Sequence, residues 1–142
     1  MATKKADEKE GFIQVAGGKV WYKIVGEGRG IPLIVLHGGP GYPHDYLEPL
    51  EDLSDERQVI FYDQLGCGNS DRPDDNSLWT VKRFVKELEH VIKTLGVEKY
   101  NLVGHSWGSA LAAGFALKKP PGLPSIIFSD PYLTTPVTRK SV

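Results

Sequence analysis

Ser106 lies within residues 100–109, Tyr-Asn-Leu-Val-Gly-His-Ser-Trp-Gly-Ser, where a short apolar run enters Gly-x-Ser-x-Gly and an alanine-rich stretch follows. A serine hydroxyl is a poor nucleophile at neutral pH, so nucleophilic catalysis needs it exposed to a base and close to backbone donors. A tight strand-to-helix turn, the nucleophile elbow, provides that placement. Gly104 and Gly108 suit such a turn, because a side chain at either position would obstruct the packing of strand against helix or the backbone beneath the serine. The bare pattern also fits an ordinary βα turn. Its surroundings favour the elbow: Leu102 and Val103 lead in as a strand, and Ala110, Leu111, Ala112, Ala113, Phe115, Ala116 and Leu117 follow as a helix.

Upstream, residues 31–36 form an almost unbroken apolar run that ends in His37-Gly38-Gly39-Pro40-Gly41. Such a run fits a strand buried on both faces. Glycines after it let the backbone approach a substrate and turn its amides toward a developing negative charge, as an oxyanion hole requires. The Gly39 N–H is one expected donor, and the N–H of Trp107, the residue after the nucleophile at the start of a helix, is the other. A glycine-rich turn without a ligand is the plainer alternative. Gly38, Gly39 and Trp107 are the expected substrate contacts, with His37 and Gly41 supporting the loop.

A third cluster, residues 61–70, reads Phe-Tyr-Asp-Gln-Leu-Gly-Cys-Gly-Asn-Ser after another short apolar strand. His-Gly-Gly-Pro-Gly at 37–41, Asp-Gln-Leu-Gly-Cys-Gly-x-Ser at 63–70 and Gly-His-Ser-Trp-Gly at 104–108, in that order, resemble the proline iminopeptidases of the α/β-hydrolase fold. The likeness runs from about residue 12 to the mid-120s. It implies removal of an N-terminal residue, preferentially proline, from peptides with a free N-terminus by a serine acyl-enzyme mechanism, with no metal and no cofactor. It also implies Ser106 as nucleophile and Gly39 and Trp107 as backbone oxyanion donors. Asp63 is expected to tie down its loop by accepting backbone N–H bonds rather than to act in the chemistry. By analogy Cys67 lies near the site, with modest sensitivity to thiol reagents. As the only cysteine it cannot form an internal disulfide, which suits a reduced cytoplasmic protein.

A complete serine hydrolase also needs a histidine to take the serine proton and an acid to orient it, and in the α/β-hydrolase order both follow the serine. The four histidines, His37, His44, His90 and His105, all precede Ser106, so no catalytic histidine is expected within this chain. His105 is expected to pack beneath the sheet, His44 to lie at the cleft rim or the surface, and His90 to be solvated. Residues 125–129 read as a strand with Asp130 at its C-terminal end, the ligand side of such sheets. Asp130 is thus a possible acid, although Asp130-Pro131 is equally a strand-ending turn signal.

The elements that must position these residues follow from periodicity. Residues 1–11, with Lys4, Lys5, Asp7, Glu8, Lys9 and Glu10, contain no apolar run for a signal peptide and read as a disordered tail. Residues 12–15 and 20–25 read as a hairpin, 45–53 as a short helix, and 78–95 as a long helix. In that helix Val81, Phe84, Val85, Leu88, Val91, Ile92 and Leu95 form the core stripe, Ser77 caps the start and Gly96 ends it. Lys82, Lys86, Glu87, Glu89 and Lys93 are assigned to its solvated faces. Alternating strands and helices give an α/β class: an N-terminal hairpin, then a mostly parallel sheet with flanking helices. Residues 12–142 are expected to be a partial α/β-hydrolase core, cut after about the sixth strand, with the lid and C-terminal part absent.

At 142 residues, with 40% hydrophobic and 25% charged residues, the chain suits one globular domain. A net charge of −1 without a basic stripe argues against nucleic acid. No apolar stretch reaches the roughly 20 residues that span a membrane. The scattered histidines and single cysteine do not read as a metal ligand set. Three functional readings stay open: a proline-preferring serine aminopeptidase nearly inactive as isolated, an ester or amino-acid amide hydrolase of the same fold, and a non-catalytic interaction module. In the last, an uncovered strand edge invites self-association or a complementing C-terminal fragment.

Overall fold

A computed structural model of the chain describes residues 7–39 and 42–131. Glu8–Val15 (β1) and Gly18–Val25 (β2) pair antiparallel, with Val15 opposite Gly18 across a tight turn. The first strand thus includes Glu8 to Glu10, inside the segment expected to be a tail, because strand pairing engages Glu8 with Val25 and Glu10 with Lys23 despite their polarity. The described Asp7 contributes too, its carbonyl accepting the Gly26 N–H.

Leu33–Leu36 (β3) and Val59–Tyr62 (β4) are buried at every residue, as strands in the middle of a parallel sheet must be. With Asn101–His105 (β5) and Ile126–Ser129 (β6) they complete a sheet of order β1-β2-β4-β3-β5-β6 among the described residues, parallel from β4 to β6. The expected α/β class and mostly parallel sheet are what is observed.

Period-two alternation splits the strands between two cores. Ile34, Leu36, Ile60, Tyr62 and Leu102 face Val81–Leu95 (α1) and Trp107–Ala116 (α2), where Phe84, Leu88, Val91, Leu111 and Phe115 meet them. Leu33, Val35, Val59, Phe61 and Val103 face the other way, onto Leu47, Leu50 and Leu53. Those leucines come from His44–Asp55, a 3-10 helix in place of the short helix expected over 45–53; Pro49 inside it cannot supply an α-helical N–H.

Helix α1 starts three residues later than its periodicity suggests. Thr80 is its cap, accepting the Arg83 N–H at 3.1 Å, while Ser77 lies in a separate turn, Asn76–Leu78, capped by Asp75. Gly96 ends the helix in the left-handed conformation, φ 69°. Val81, expected in the core stripe, is exposed at the first turn. Glu87, expected on a solvated face, is buried: Arg83 pairs with it at 2.5 Å and the Leu65 N–H reaches its Oε1 at 3.3 Å. Burial raises the Glu87 pKa, with Arg83 opposing it.

Candidate active site

Strand β5 ends at His105 and α2 begins at Trp107, leaving Ser106 alone on the turn with φ 52° and ψ −115°. A residue with a Cβ at positive φ costs on the order of 1–3 kcal/mol and persists only where its surroundings enforce it. Here the Ser106 N–H donates to the Ser129 carbonyl at 3.0 Å, and the Ser106 carbonyl accepts both the N–H and the hydroxyl of Ser109, at 2.9 and 2.5 Å. The two glycines let helix and strand close on this turn. A Cβ on Gly104 would come within 2.5 Å of the Gly108 carbonyl oxygen, and one on Gly108 would collide with the Leu36 carbonyl. The Ser106 Oγ carries no hydrogen bond to any of the described residues. Trp107, as the first residue of α2, has an N–H without an intrahelical acceptor, at the positive end of the helix.

The loop after β3 is set by His37. Its Nε2 accepts the Gln64 N–H at 2.9 Å, so the neutral ring carries its proton on Nδ1 and donates it to the Gly38 carbonyl at 2.8 Å. Burial lowers the His37 pKa, keeping the ring neutral. In a trans peptide the N–H points opposite the C=O. By holding the Gly38 carbonyl, His37 therefore aims the Gly39 N–H the other way, and Gly39 adopts φ 121°, open to glycine. The preceding peptide is fixed at both ends, since the His37 carbonyl accepts Gln64 Nε2 at 3.1 Å and the Gly38 N–H donates to the Tyr46 hydroxyl at 2.6 Å. Gly41, assigned to this loop with Pro40, lies outside the described residues.

Gln64 was not singled out from sequence. Its Oε1 accepts the Trp107 indole N–H at 2.9 Å while its Nε2 holds the His37 carbonyl, so one amide joins the two arms that carry the expected oxyanion donors. The available signal was a second polar residue, after Asp63, directly past a four-residue apolar strand.

Asp63, fully buried, sits at the same strand end. Its carboxylate accepts the backbone N–H groups of His44 and Asn69, both at 2.9 Å, and faces His44 Nδ1 at 2.7 Å. The second half of this arrangement differs from expectation: His44 is buried rather than at the rim, its ring 4.6 Å from that of Trp21. Burial works against charging either member. The Asp63 hydrogen bond and charge outweigh it and raise the His44 pKa, while His44 and the two amides lower that of Asp63. Donor atoms of His44, Asp45 and Asp63 gather within 4.8 Å, but Nδ1 of His44 and Oδ1 of Asp63 are already spent on each other.

Gly38, Gly39, Tyr42, Tyr46, His105 and Ser106 line a cavity of about 430 Å³. His105 thus lies in the cleft rather than beneath the sheet, because the Tyr46 hydroxyl meets its Nδ1 at 2.8 Å and the two rings pack edge to face at 5.2 Å. Sequence reasoning missed Tyr46. His90 is exposed on α1. Asp130 is exposed just past β6, at φ 50°, one residue beyond the carbonyl that receives the Ser106 N–H. Cys67 does lie close to the loop, its Sγ 3.5 Å from His37 Nε2, but it is buried and its thiol pKa is pushed up to about 12, chiefly by desolvation. Such a thiol is shielded, against the expected reagent sensitivity. No helix among the described residues is long and apolar enough to cross a membrane.

Comparison with known proteins gives these findings. The sequence profile of the alpha/beta hydrolase fold matches residues 31–140. A proline iminopeptidase of Heyndrickxia coagulans is 50% identical over 129 residues, covering 90% of this chain and 45% of its own length. Among solved structures, the proline iminopeptidase of Mycobacterium smegmatis superposes with a TM-score of 0.79 at 39% identity, covering 83% of this chain and 42% of its own. A proline iminopeptidase-related protein from Thermus thermophilus gives 0.82 at 32% identity, over 92% and 47%. The chain spans less than half the length of each of these relatives.

Proposed function

Since the chain belongs to the α/β-hydrolase fold family, we propose that it carries the nucleophile half of a serine hydrolase that releases an N-terminal residue, preferentially proline, from peptides with a free amino end. Ser106 Oγ attacks the scissile carbonyl, and the amides of Gly39 and Trp107 receive the charge on its oxygen. The Oγ proton goes to a base and from it to the departing amine as the C–N bond breaks. Water, giving its proton to the same base, then splits the acyl-enzyme and restores Ser106. The observation that carries this reading is the Ser106 backbone, held at positive φ on a helix N-terminus with an Oγ unpaired among the described residues.

None of the four histidines serves as that base. His37 and His44 are engaged in buried hydrogen bonds, His90 is on the exposed side of α1, and His105 Nδ1 meets Tyr46. The base comes instead from a complementing C-terminal portion, a view supported by the greater length of the relatives. Asp130 is the acid this chain itself offers. A cytoplasmic setting suits its single buried thiol.

A fluorophosphonate probe with peptide mapping, applied to the chain complemented by the C-terminal portion of a relative, tests the nucleophile: labelling at Ser106, lost in Ser106→Ala, is expected. Turnover of proline, alanine and acetyl chromogenic substrates, with and without the C-terminal portion of a relative, tests the rest. Without the base, proton transfer worth roughly 10²–10⁴ in rate is missing. Acetyl ester turnover exceeding that of the proline substrate in the complemented protein would replace the peptidase reading with an esterase one.

A further inference from the structure

We propose that Tyr46 is a positioning residue of this site: its hydroxyl joins the loop bearing Gly38 and Gly39 to the elbow bearing Ser106, and it holds His105 as the Nε2–H tautomer, unable to act as a base toward the neighbouring serine. The inference rests on the serine-hydrolase reading above and adds to it a residue and a tautomer.

A phenol has one proton to donate and lone pairs to accept with. The Gly38 N–H takes a lone pair at 2.6 Å. Directing the single O–H at His105 Nδ1, 2.8 Å away, makes Nδ1 the acceptor and puts the proton of the neutral imidazole on Nε2. His105 is left without a free lone pair: one nitrogen is engaged and the other protonated. The three groups meet at close quarters, since a Cβ on Gly38 would lie 2.9 Å from the Tyr46 oxygen and 3.3 Å from His105 Nδ1. Burial raises the Tyr46 pKa, which keeps the hydroxyl protonated and able to donate.

This bond spans elements that no strand ladder connects at this point. Tyr46 belongs to the 3-10 helix, anchored by Leu47, Leu50 and Leu53 on the apolar cluster under β3 and β4. Gly38 follows β3, and His105 ends β5 directly before the nucleophile. Gln64 links the loop to Trp107 from one side; Tyr46 links it to His105 from the other. Removing the hydroxyl frees the Gly38 amide and lets loop and elbow move apart, and misplacement of a reacting group by about 1 Å costs up to roughly 10²-fold in rate.

Long-range ¹H–¹⁵N spectra of the imidazoles in the full 142-residue chain, with His105 assigned through His105→Asn, test the proposal. The wild-type spectrum is expected to show an unprotonated, hydrogen-bonded Nδ1 on His105. In Tyr46→Phe that nitrogen loses the signature of an accepted hydrogen bond, the Gly38 amide proton moves upfield, and, once the chain is complemented by the C-terminal portion of a relative, the limiting rate of fluorophosphonate labelling falls about tenfold with little change in probe binding. A wild-type His105 protonated on Nδ1, or an unmoved Gly38 amide in a folded Tyr46→Phe, overturns the proposal. The wild-type tautomer is read without any substitution, so the outcome does not depend on the variant folding. If neither complemented chain labels at Ser106, it is the serine reading that fails, and the tautomer still decides the role of Tyr46.

Discussion

His37 Nδ1 lies 2.8 Å from the carbonyl oxygen of Gly38, the residue that follows it, while its Nε2 receives the Gln64 N–H at 2.9 Å. An imidazole acting on its own chain in this way is a fixed part of the backbone geometry. His37→Leu removes both partners and leaves a buried donor and a buried acceptor unpaired. The expected loss is about 3 kcal/mol of unfolding free energy, read from urea denaturation.

The two buried histidines respond to pH in opposite senses. His37 has its pKa lowered from 6.5 by burial, so as pH falls below 6.5 the unfolded chain takes up that proton first and stability drops. His44 has its pKa raised through Asp63, so its contribution is complete below 6.5 and is lost as pH rises through the folded value. Asp63, lowered from 3.8, contributes fully above that value and loses its share as pH falls through its folded pKa. Proton NMR titration of the imidazole C2 signals should give one midpoint below 6.5 and one above, and Asp63→Asn should bring the upper one down.

Asp63→Asn should also destabilise the fold by about 3 kcal/mol, because a buried charge pair is broken at one member. The same change weakens acceptance of the His44 and Asn69 amides. Denaturant midpoints at about pH 6, where the pair is charged, check the figure, and a change below about 1 kcal/mol would show that the pair is a bystander.

Backbone strain at Ser106 separates two substitutions that both delete the hydroxyl. Ser106→Gly relieves a positive φ whereas Ser106→Ala keeps the Cβ. The glycine variant should be the more stable by about 1 kcal/mol, the strain released less the added freedom of the unfolded chain. Paired thermal melts decide it, and neither variant should take a fluorophosphonate.

Cys67 offers a check on the loop without touching the site. Its buried thiol, pKa about 12, should react with a chromogenic disulfide only as fast as the chain opens. Addition of urea to the unfolding midpoint should bring prompt, stoichiometric reaction. Rapid reaction in native buffer would mean that the segment from Asp63 to Ser70 is open in solution.

Sequence revealed what local pattern controls. Leu33–Leu36 and Val59–Tyr62 announce themselves as strands because every residue is apolar, and the Gly104 and Gly108 spacing marks the elbow because close backbone approach admits nothing larger. What escaped was set by distant partners. His44 is buried through Asp63, nineteen residues away, and Glu87 through the Leu65 amide. The choice of Thr80 over Ser77 as the helix cap was a contest between two good capping residues, settled when Asp75 took the Ser77 N–H at 3.0 Å. His105 reached the cleft because a tyrosine fifty-nine positions earlier meets it there.

The order β4-β3-β5 in the sheet also governs how the protein is born. Leu33–Leu36 leaves the ribosome early, gains one neighbour when Val59–Tyr62 emerges, and keeps its other side open until Asn101–His105 has been synthesised. His37 and Gly38 at its tip therefore acquire their partners Gln64 and Tyr46 well before the serine turn exists, and nascent chains stalled between those two points would display an unzipped apolar strand to chaperones.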